Sequence, residues 1–96
     1  MKNVTVFYLQ NIPWQNVEAK ILETGYQNLK EEITIFPVTP NPDFHHYLII
    51  SLSEETNQIL KNLKAIQIQN SGLLERLAHQ PEDPVFGNKE NLSYLQ

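Results

Sequence analysis

Residues 45–69 read HHYLIISLSEETNQILKNLKAIQIQ, and this stretch decides the fold. The apolar run at residues 47–50 has the β-branched and aromatic character of a buried strand. Ser53 then offers a side chain suited to cap a helix, and two glutamates occupy the first turn, where the helix dipole favours negative charge. Residues 65–69 alternate apolar and polar side chains, which is typical of a half-buried strand. The stretch therefore predicts a strand, a helix and a strand in succession.

The residues before this stretch predict a strand, a helix and a second strand. Residues 4–9 (VTVFYL) carry no charge and predict a first strand, and apolar side chains at spacings of three and four predict a helix over residues 14–24. Residues 33–38 form a second strand, and Pro37 indicates that it lies at a sheet edge, because proline cannot donate to a ladder. The Asn-Pro-Asp sequence at residues 41–43 predicts a turn before the third strand.

The order βαββαβ within about 70 residues permits two right-handed crossovers around one antiparallel sheet. It predicts an α+β fold, a ferredoxin-like sandwich over residues 1–69. Residues 70–96 follow as a C-terminal part with a short helix and an irregular, extended tail. The first and third predicted strands carry no charged residue, and we expect them at the centre of the sheet.

The composition excludes several classes of protein. The chain has 96 residues, enough for one core, and no cysteine, which excludes disulfides, thiolate zinc sites and thiol nucleophiles. Seven basic and eleven acidic side chains give a net charge of −4, which argues against nucleic-acid binding. There is no apolar run of about 18 residues to cross a membrane and no signal-peptide pattern, so we expect a cytoplasmic protein.

One face of the predicted sheet lacks an obvious cover. Alternation along the first strand separates Phe7 and Leu9 from Val6 and Tyr8, and we place the first pair toward the helices. In the third strand we place His46, Leu48, Ile50 and Leu52 toward the helices. The opposite face then shows five largely apolar side chains: Val4, Val6, Tyr8, Tyr47 and Ile49. A patch of this kind exceeds what monomers usually leave in water, and we predict that it binds something.

Three covers are possible for this face: the C-terminal segment, a second copy of the chain, or another protein. The C-terminal helix offers Leu73, Leu74 and Leu77 as docking side chains on a narrow apolar face. It is only about nine residues long, too short to persist in water without packing. Because such a helix covers little of a four-stranded sheet, we favour a homodimer.

Residues 6–13 (VFYLQNIP) resemble the first-strand motif of RNA-recognition-motif domains, in which an apolar strand carries an aromatic residue and ends in Asn-Leu-Pro. The stretch from residue 45 to residue 63 resembles the second half of that family. The resemblance implies the ferredoxin-like fold and base stacking by Tyr8 and Tyr47. Ile49 stands where the family carries a second aromatic residue, and the family's basic residue and glycines are missing.

The residues that could carry chemistry have simpler explanations. Adjacent side chains of a strand point to opposite faces, so His45 and His46 cannot chelate one ion together. Glu54 and Glu55 suit a helix N-terminus, and the chain has neither a glycine-rich phosphate loop nor a serine-nucleophile motif. We predict no catalytic residues, no metal and no cofactor.

The expected function is that of a small non-enzymatic module for protein interaction or regulation, acting through the apolar sheet face and the C-terminal tail. One alternative is binding of single-stranded RNA through the sheet. A second is a small-ligand sensor, of the kind that ferredoxin-like domains often form.

Overall fold

The computed structural model describes residues 4–25, 29–38 and 46–95. The strands of this part of the chain are β1 (Thr5–Gln10), β2 (Ile33–Pro37), β3 (His46–Ser51) and β4 (Ile66–Ile68). Its helices are α1 (Trp14–Glu23), α2 (Leu29–Glu32), α3 (Glu54–Asn62) and α4 (Leu73–His79), followed by a 3-10 helix (Lys89–Leu95).

The four strands form one sheet in the order β2-β3-β1-β4, with every neighbouring pair antiparallel. This is the ferredoxin-like arrangement, and the predicted fold class is confirmed, including the central position of β1 and β3. Strand β2, which ends at Pro37, lies at an end of the four-strand order, as its proline indicated. The turn predicted at residues 41–43 and His45 lie outside the described residues.

Helix α3 begins as the sequence predicts. The Ser53 hydroxyl accepts a hydrogen bond from the backbone N–H of Thr56 at 3.2 Å, which satisfies one donor of the first turn. The buried hydroxyls of Ser51 and Thr56 share a hydrogen bond. Hydrogen bonds from the side chains of Gln58 and Asn57 lower the pKa of the Glu54 carboxyl. The end of β3 and the start of α3 are therefore joined by a continuous polar network.

Helices α1 and α3 cover the inner face of the sheet. Val17 and Ile21 of α1 and Leu60 of α3 are fully buried there. The sheet contributes Phe7, Leu9, Ile33, Ile35, Tyr47 and Ile49 to this inner cluster, and Leu29 and Phe86 join it from the helix side and the C-terminal segment. The Trp14 ring lies over its margin, 5.8 Å from the Tyr47 ring and 6.4 Å from the Phe86 ring.

The C-terminal segment covers part of the outer face. Leu74 and Leu77 of α4 and Leu92 of the 3-10 helix are buried in one cluster with the sheet residues Val6, Phe36 and Ile50. The two sheet faces therefore carry two separate apolar clusters, and the polypeptide that buries the outer one comes from the end of the described chain.

The free edge of β2 is also occupied by the C-terminal segment. Ile35 forms an isolated antiparallel bridge with Phe86: its N–H donates to the Phe86 carbonyl at 3.0 Å, and its own carbonyl accepts from Val85 at 2.8 Å. Gly87 has a φ of +80°, and a Cβ at this position would lie 2.2 Å from the Ile33 carbonyl oxygen. The region predicted as an irregular tail therefore includes a short extended piece that only glycine lets approach the strand so closely.

Candidate functional site

The register of the strands orders the outer face into rows that run across the sheet. In one row Val6 lies opposite Ile50 on one side and Ile68 on the other. In the next row Tyr8 lies opposite Leu48 and Ile66. Directly opposed residues of an antiparallel pair share a face, so each row presents its side chains together.

The two rows differ in how they are covered. In the first row, Val6 and Ile50 are 2% and 1% exposed beneath the C-terminal segment. In the second row, Tyr8 and Leu48 are only half-buried and Ile66 is 54% exposed, although Phe36 at the β2 end is fully buried. The cover therefore buries the β2 side of the outer face and Val6 in the first row, leaves Ile68 half-buried, and ends before the β4 side of the second row.

We name the uncovered region the open patch, formed by Tyr8, His46, Leu48 and Ile66. His46 is half-buried, and its Nδ1 shares a hydrogen bond with the Tyr8 hydroxyl. The two rings lie with their centroids 5.8 Å apart at an angle of 34°. The open patch therefore presents a hydrogen-bonded aromatic pair beside two aliphatic side chains.

The chemistry of the open patch suits contact with apolar groups. Its members are two aliphatic side chains, a phenol and an imidazole, and none of them is a carboxylate, an amine or a guanidinium. In the described ranges, no group of three or more His, Cys, Asp or Glu side chains could hold a metal ion. An aromatic and aliphatic surface of this kind is typical of the centre of a protein interface.

The assignment of Tyr47 and Ile49 to the outer face is wrong. Ile49 pairs directly with Phe7, so both side chains point toward α1 and α3, and Tyr47 and Ile49 are buried in the inner cluster. Leu48 and Ile50 take their place on the outer face. Both alternating sets of β3 contain apolar side chains, and alternation alone does not show which set faces the helices.

Tyr47 has a structural role in the inner cluster. Its hydroxyl donates a hydrogen bond to the Ile12 carbonyl at 3.2 Å, and burial raises the pKa of its phenol. A phenol in this position has no access to a base or another ligand on the outer face. The base-stacking position that the sequence resemblance gave to Tyr47 therefore does not exist on the exposed surface.

The other predicted site residues lie on the outer side of the sheet. Val6 is buried under the C-terminal segment, and the half-buried Val4 packs at the margin of the same cluster. Leu74 and Leu77 contact this cluster from α4, and Leu73 packs against it half-buried. Tyr8 is therefore the one predicted sheet-face residue that belongs to the open patch.

Strand β4 ends the four-strand order on the side of the open patch. Its residues read Ile66-Gln67-Ile68, and they pair on one side with β1. Ile66 and Gln67 are exposed and Ile68 is half-buried. Among the described residues no segment pairs with the other edge of β4, in contrast to β2, whose outer edge is bridged to Phe86.

Two shallow grooves lie on the helix side of the molecule. One, with a volume of about 260 Å³, runs between the C-terminal ends of α1 and α3 beside Lys20 and Leu63. The other, of about 420 Å³, lies between α1 and the C-terminal segment and includes Leu22 and Val85. Each groove contains one carboxylate, Glu23 in the first and Glu18 in the second, and no histidine.

Comparisons of the chain with protein-family models, with curated proteins and with solved structures found no significant match. The helices of the described ranges are all too short or too polar to cross a membrane. The exposure and contacts of the surface residues are therefore the observations from which a function can be inferred.

Sequence reasoning missed three members of the open patch, namely His46, Leu48 and Ile66. His46 and Leu48 were placed toward the helices with the rest of their alternating set. Ile66 was recognised as part of a strand but not as a surface residue. No signal within residues 65–69 indicates this exposure, because the alternation of apolar and polar side chains predicts that Ile66 lies on the buried side.

Proposed function

We propose that the chain is a non-enzymatic protein-interaction module, and that its contact surface is the open patch together with the adjacent edge of β4. The observation that supports this proposal is the exposure of Ile66, at 54%, in the same row as the half-buried Tyr8 and Leu48. Elsewhere on the outer face the chain's own C-terminal segment buries Val6, Phe36 and Ile50. A protein partner is thus expected to meet the open patch and not the whole sheet.

The composition of the patch favours a protein over a charged ligand. Aromatic and aliphatic side chains supply most of the free energy at the centre of protein interfaces, whereas binding of phosphates requires cationic groups. The hydrogen bond between Tyr8 and His46 holds the two rings before a partner arrives. Side chains that are already ordered lose less conformational entropy on binding.

Affinity capture with a matched pair of variants tests this proposal. Ile66→Asp places a charge in the open patch, and Leu22→Asp places the same charge on α1, where the side chain is 62% exposed. Both positions are exposed, so both variants are expected to fold. We expect the native chain and Leu22→Asp to retain the same protein, and Ile66→Asp to lose it. Equal retention by both variants would contradict the proposal.

Binding of single-stranded RNA is the second candidate, and the position of Tyr8 is the observation that favours it. Tyr8 stays half-buried on the outer face of a central strand, where a base could stack on its ring. The net charge of −4 and the loss of Tyr47 to the inner cluster weigh against it. Titration with single-stranded RNA at low salt decides between the two, because electrostatic affinity is greatest there. Binding that Tyr8→Ala abolishes would favour RNA.

A further inference from the structure

We propose that the partner that meets Ile66 and the free edge of β4 is a second copy of this chain, joined by antiparallel pairing of β4 with its counterpart across a two-fold axis at Gln67. This inference rests on the proposed function, and it adds the identity of the partner. The pairing would make one continuous sheet of the two four-stranded sheets. Addition of a strand to a free sheet edge is a common mode of protein recognition.

The sequence of β4 suits pairing with itself. A two-fold axis at Gln67 sets Ile66 opposite Ile68 of the second copy, so the pairing brings aliphatic side chains together on one face. A two-fold interface requires such a self-complementary patch. Each of the two exposed Ile66 side chains in the dimer would then pack beside Ile68 of the other copy.

The charges near β4 also permit this pairing. Residues 65–69 carry no charge, so no like charges meet at the centre of the interface. The nearest charged residue along the chain is Lys64, which precedes β4 with a φ of +69° and lies outside the paired residues. Like charges directly opposite each other would destabilise paired strands, and this register avoids them.

The other end of the sheet cannot serve in the same way. The backbone groups of Ile35 that point away from the sheet are hydrogen-bonded to Val85 and Phe86. Gly87 lies against the Ile33 carbonyl and closes the same edge. Of the two ends of the sheet, β4 is the one whose edge the described residues leave accessible. Pairing there yields a closed dimer, because each copy has one such edge.

Sedimentation velocity over a series of protein concentrations is the first test. We expect a monomer–dimer equilibrium for the native chain and for Leu22→Asp. In Ile66→Asp the dissociation constant is expected to rise about tenfold or more, because a carboxylate would be buried against an aliphatic side chain. A native chain that stays monomeric, or an equal dissociation constant for Ile66→Asp, would overturn the inference.

Cross-linking tests the register, and the chain has no cysteine of its own to interfere. The two Gln67 side chains would lie directly opposite each other, with Cβ atoms about 5 Å apart, so Gln67→Cys is expected to form a disulfide-linked dimer on mild oxidation. Gln69→Cys is the matched control on the same side of the chain: its two copies would be about 14 Å apart along the strands. Equal linkage of both, or of neither, would overturn the two-fold axis at Gln67.

The two proposals fail in different ways. If the chain is monomeric but captures another protein in a manner that Ile66→Asp abolishes, the open patch is an interaction surface and the second copy is not its partner. If the chain neither self-associates nor captures any protein through Ile66, both proposals are wrong.

Discussion

The inner and outer faces of the sheet are both apolar, but different parts of the chain bury them. The inner face lies under α1 and α3, the two helices of the βαββαβ unit, and its cluster includes fully buried residues from β1, β2 and β3. The outer face lies under α4 and the 3-10 helix, which come from the end of the described chain. The outer cover is also incomplete, because Ile66 and its row remain open toward β4.

This difference shows how the C-terminal segment divides the outer face into a buried part that stabilises the fold and an accessible part that can bind a partner. Where Leu74, Leu77 and Leu92 reach, the outer face is core and stabilises the fold. Beyond their reach, side chains of the same strands stay accessible and can bind a partner. A longer cover would have completed the core and removed the candidate binding surface.

The largest expected effect comes from removing the outer cover. Truncation after Asn70 deletes four buried side chains: Leu74, Leu77, Phe86 and Leu92. Each contributes about 1.5–3 kcal/mol by burial, from which the entropy of ordering the segment is subtracted. We expect the free energy of unfolding to fall by about 4 kcal/mol or more, a large share of the 5–15 kcal/mol typical of a domain.

Denaturant titration and binding of a hydrophobic dye measure this effect. A chain that ends after Leu92 is the control, because it keeps the buried side chains of the outer cluster. Truncation after Asn70 should give strong dye binding and self-association, whereas the control should resemble the full chain. A truncated chain that is as stable and dye-silent as the control would mean that the outer cluster is not part of the core.

Single substitutions compare the two clusters directly. Leu60 of the inner cluster and Leu92 of the outer cluster are both 0% exposed. If the outer cluster is a true core, Leu60→Ala and Leu92→Ala should each cost about 2–5 kcal/mol through cavity formation. Leu22→Ala, at an exposed position, should stay within about 0.5 kcal/mol of the native chain in the same urea titrations. If Leu92→Ala costs as little as Leu22→Ala, the outer cluster does not stabilise the fold as the inner cluster does.

The elements of the fold could be predicted from local signals, because those signals lie within each element. The Ser53 cap, the apolar spacing of α1 and the proline at the end of β2 each report on neighbouring residues. The α2 helix has no such local signal, since a four-residue helix is too short to show a periodic pattern.

The face of β3 could not be predicted, because it depends on a contact with a distant strand. Ile49 faces the helices since it pairs with Phe7, and the sequence of β3 offers apolar side chains on both sides. For the same reason alternation along β3 does not show that His46 lies on the outer face and Tyr47 on the inner one. The pairing of Phe86 with Ile35 also joins residues that are far apart in the sequence. Residues 81–88 carry no alternating pattern that would predict a strand there.

The contrast between the two sheet edges can be tested at a glycine. Gly87→Ala places a Cβ 2.2 Å from the Ile33 carbonyl oxygen, so the segment that covers β2 must move. We expect a cost of about 3 kcal/mol. Gly25→Ala is the matched control: its φ is +68°, and its new Cβ would meet nothing within 4 Å. It should cost only about 1 kcal/mol, from the positive φ alone. Equal costs in thermal unfolding would show that the 85–88 segment does not hold β2.

The smallest expected effect tests the face on which Tyr47 lies. Its hydroxyl donates to the Ile12 carbonyl in the inner cluster, so Tyr47→Phe should cost about 0.5–1.5 kcal/mol at neutral pH. Because burial raises the pKa of this phenol in the folded chain, ionisation favours the unfolded chain, whose tyrosines titrate near pH 10. The stabilising contribution is present below that pH and is lost as the pH rises through the folded pKa.

Urea titrations at about pH 7 and about pH 11 measure both parts of this prediction. The native chain should lose more stability between the two values than Tyr47→Phe, because the variant has no buried phenol to ionise. If Tyr47 instead lay on the open side of the sheet, water would solvate its phenolate and the two chains would lose stability in parallel. That result would mean that the register between β1 and β3 is shifted by one residue, which exchanges the two faces of β3. His46 and Leu48 would then not belong to the open patch.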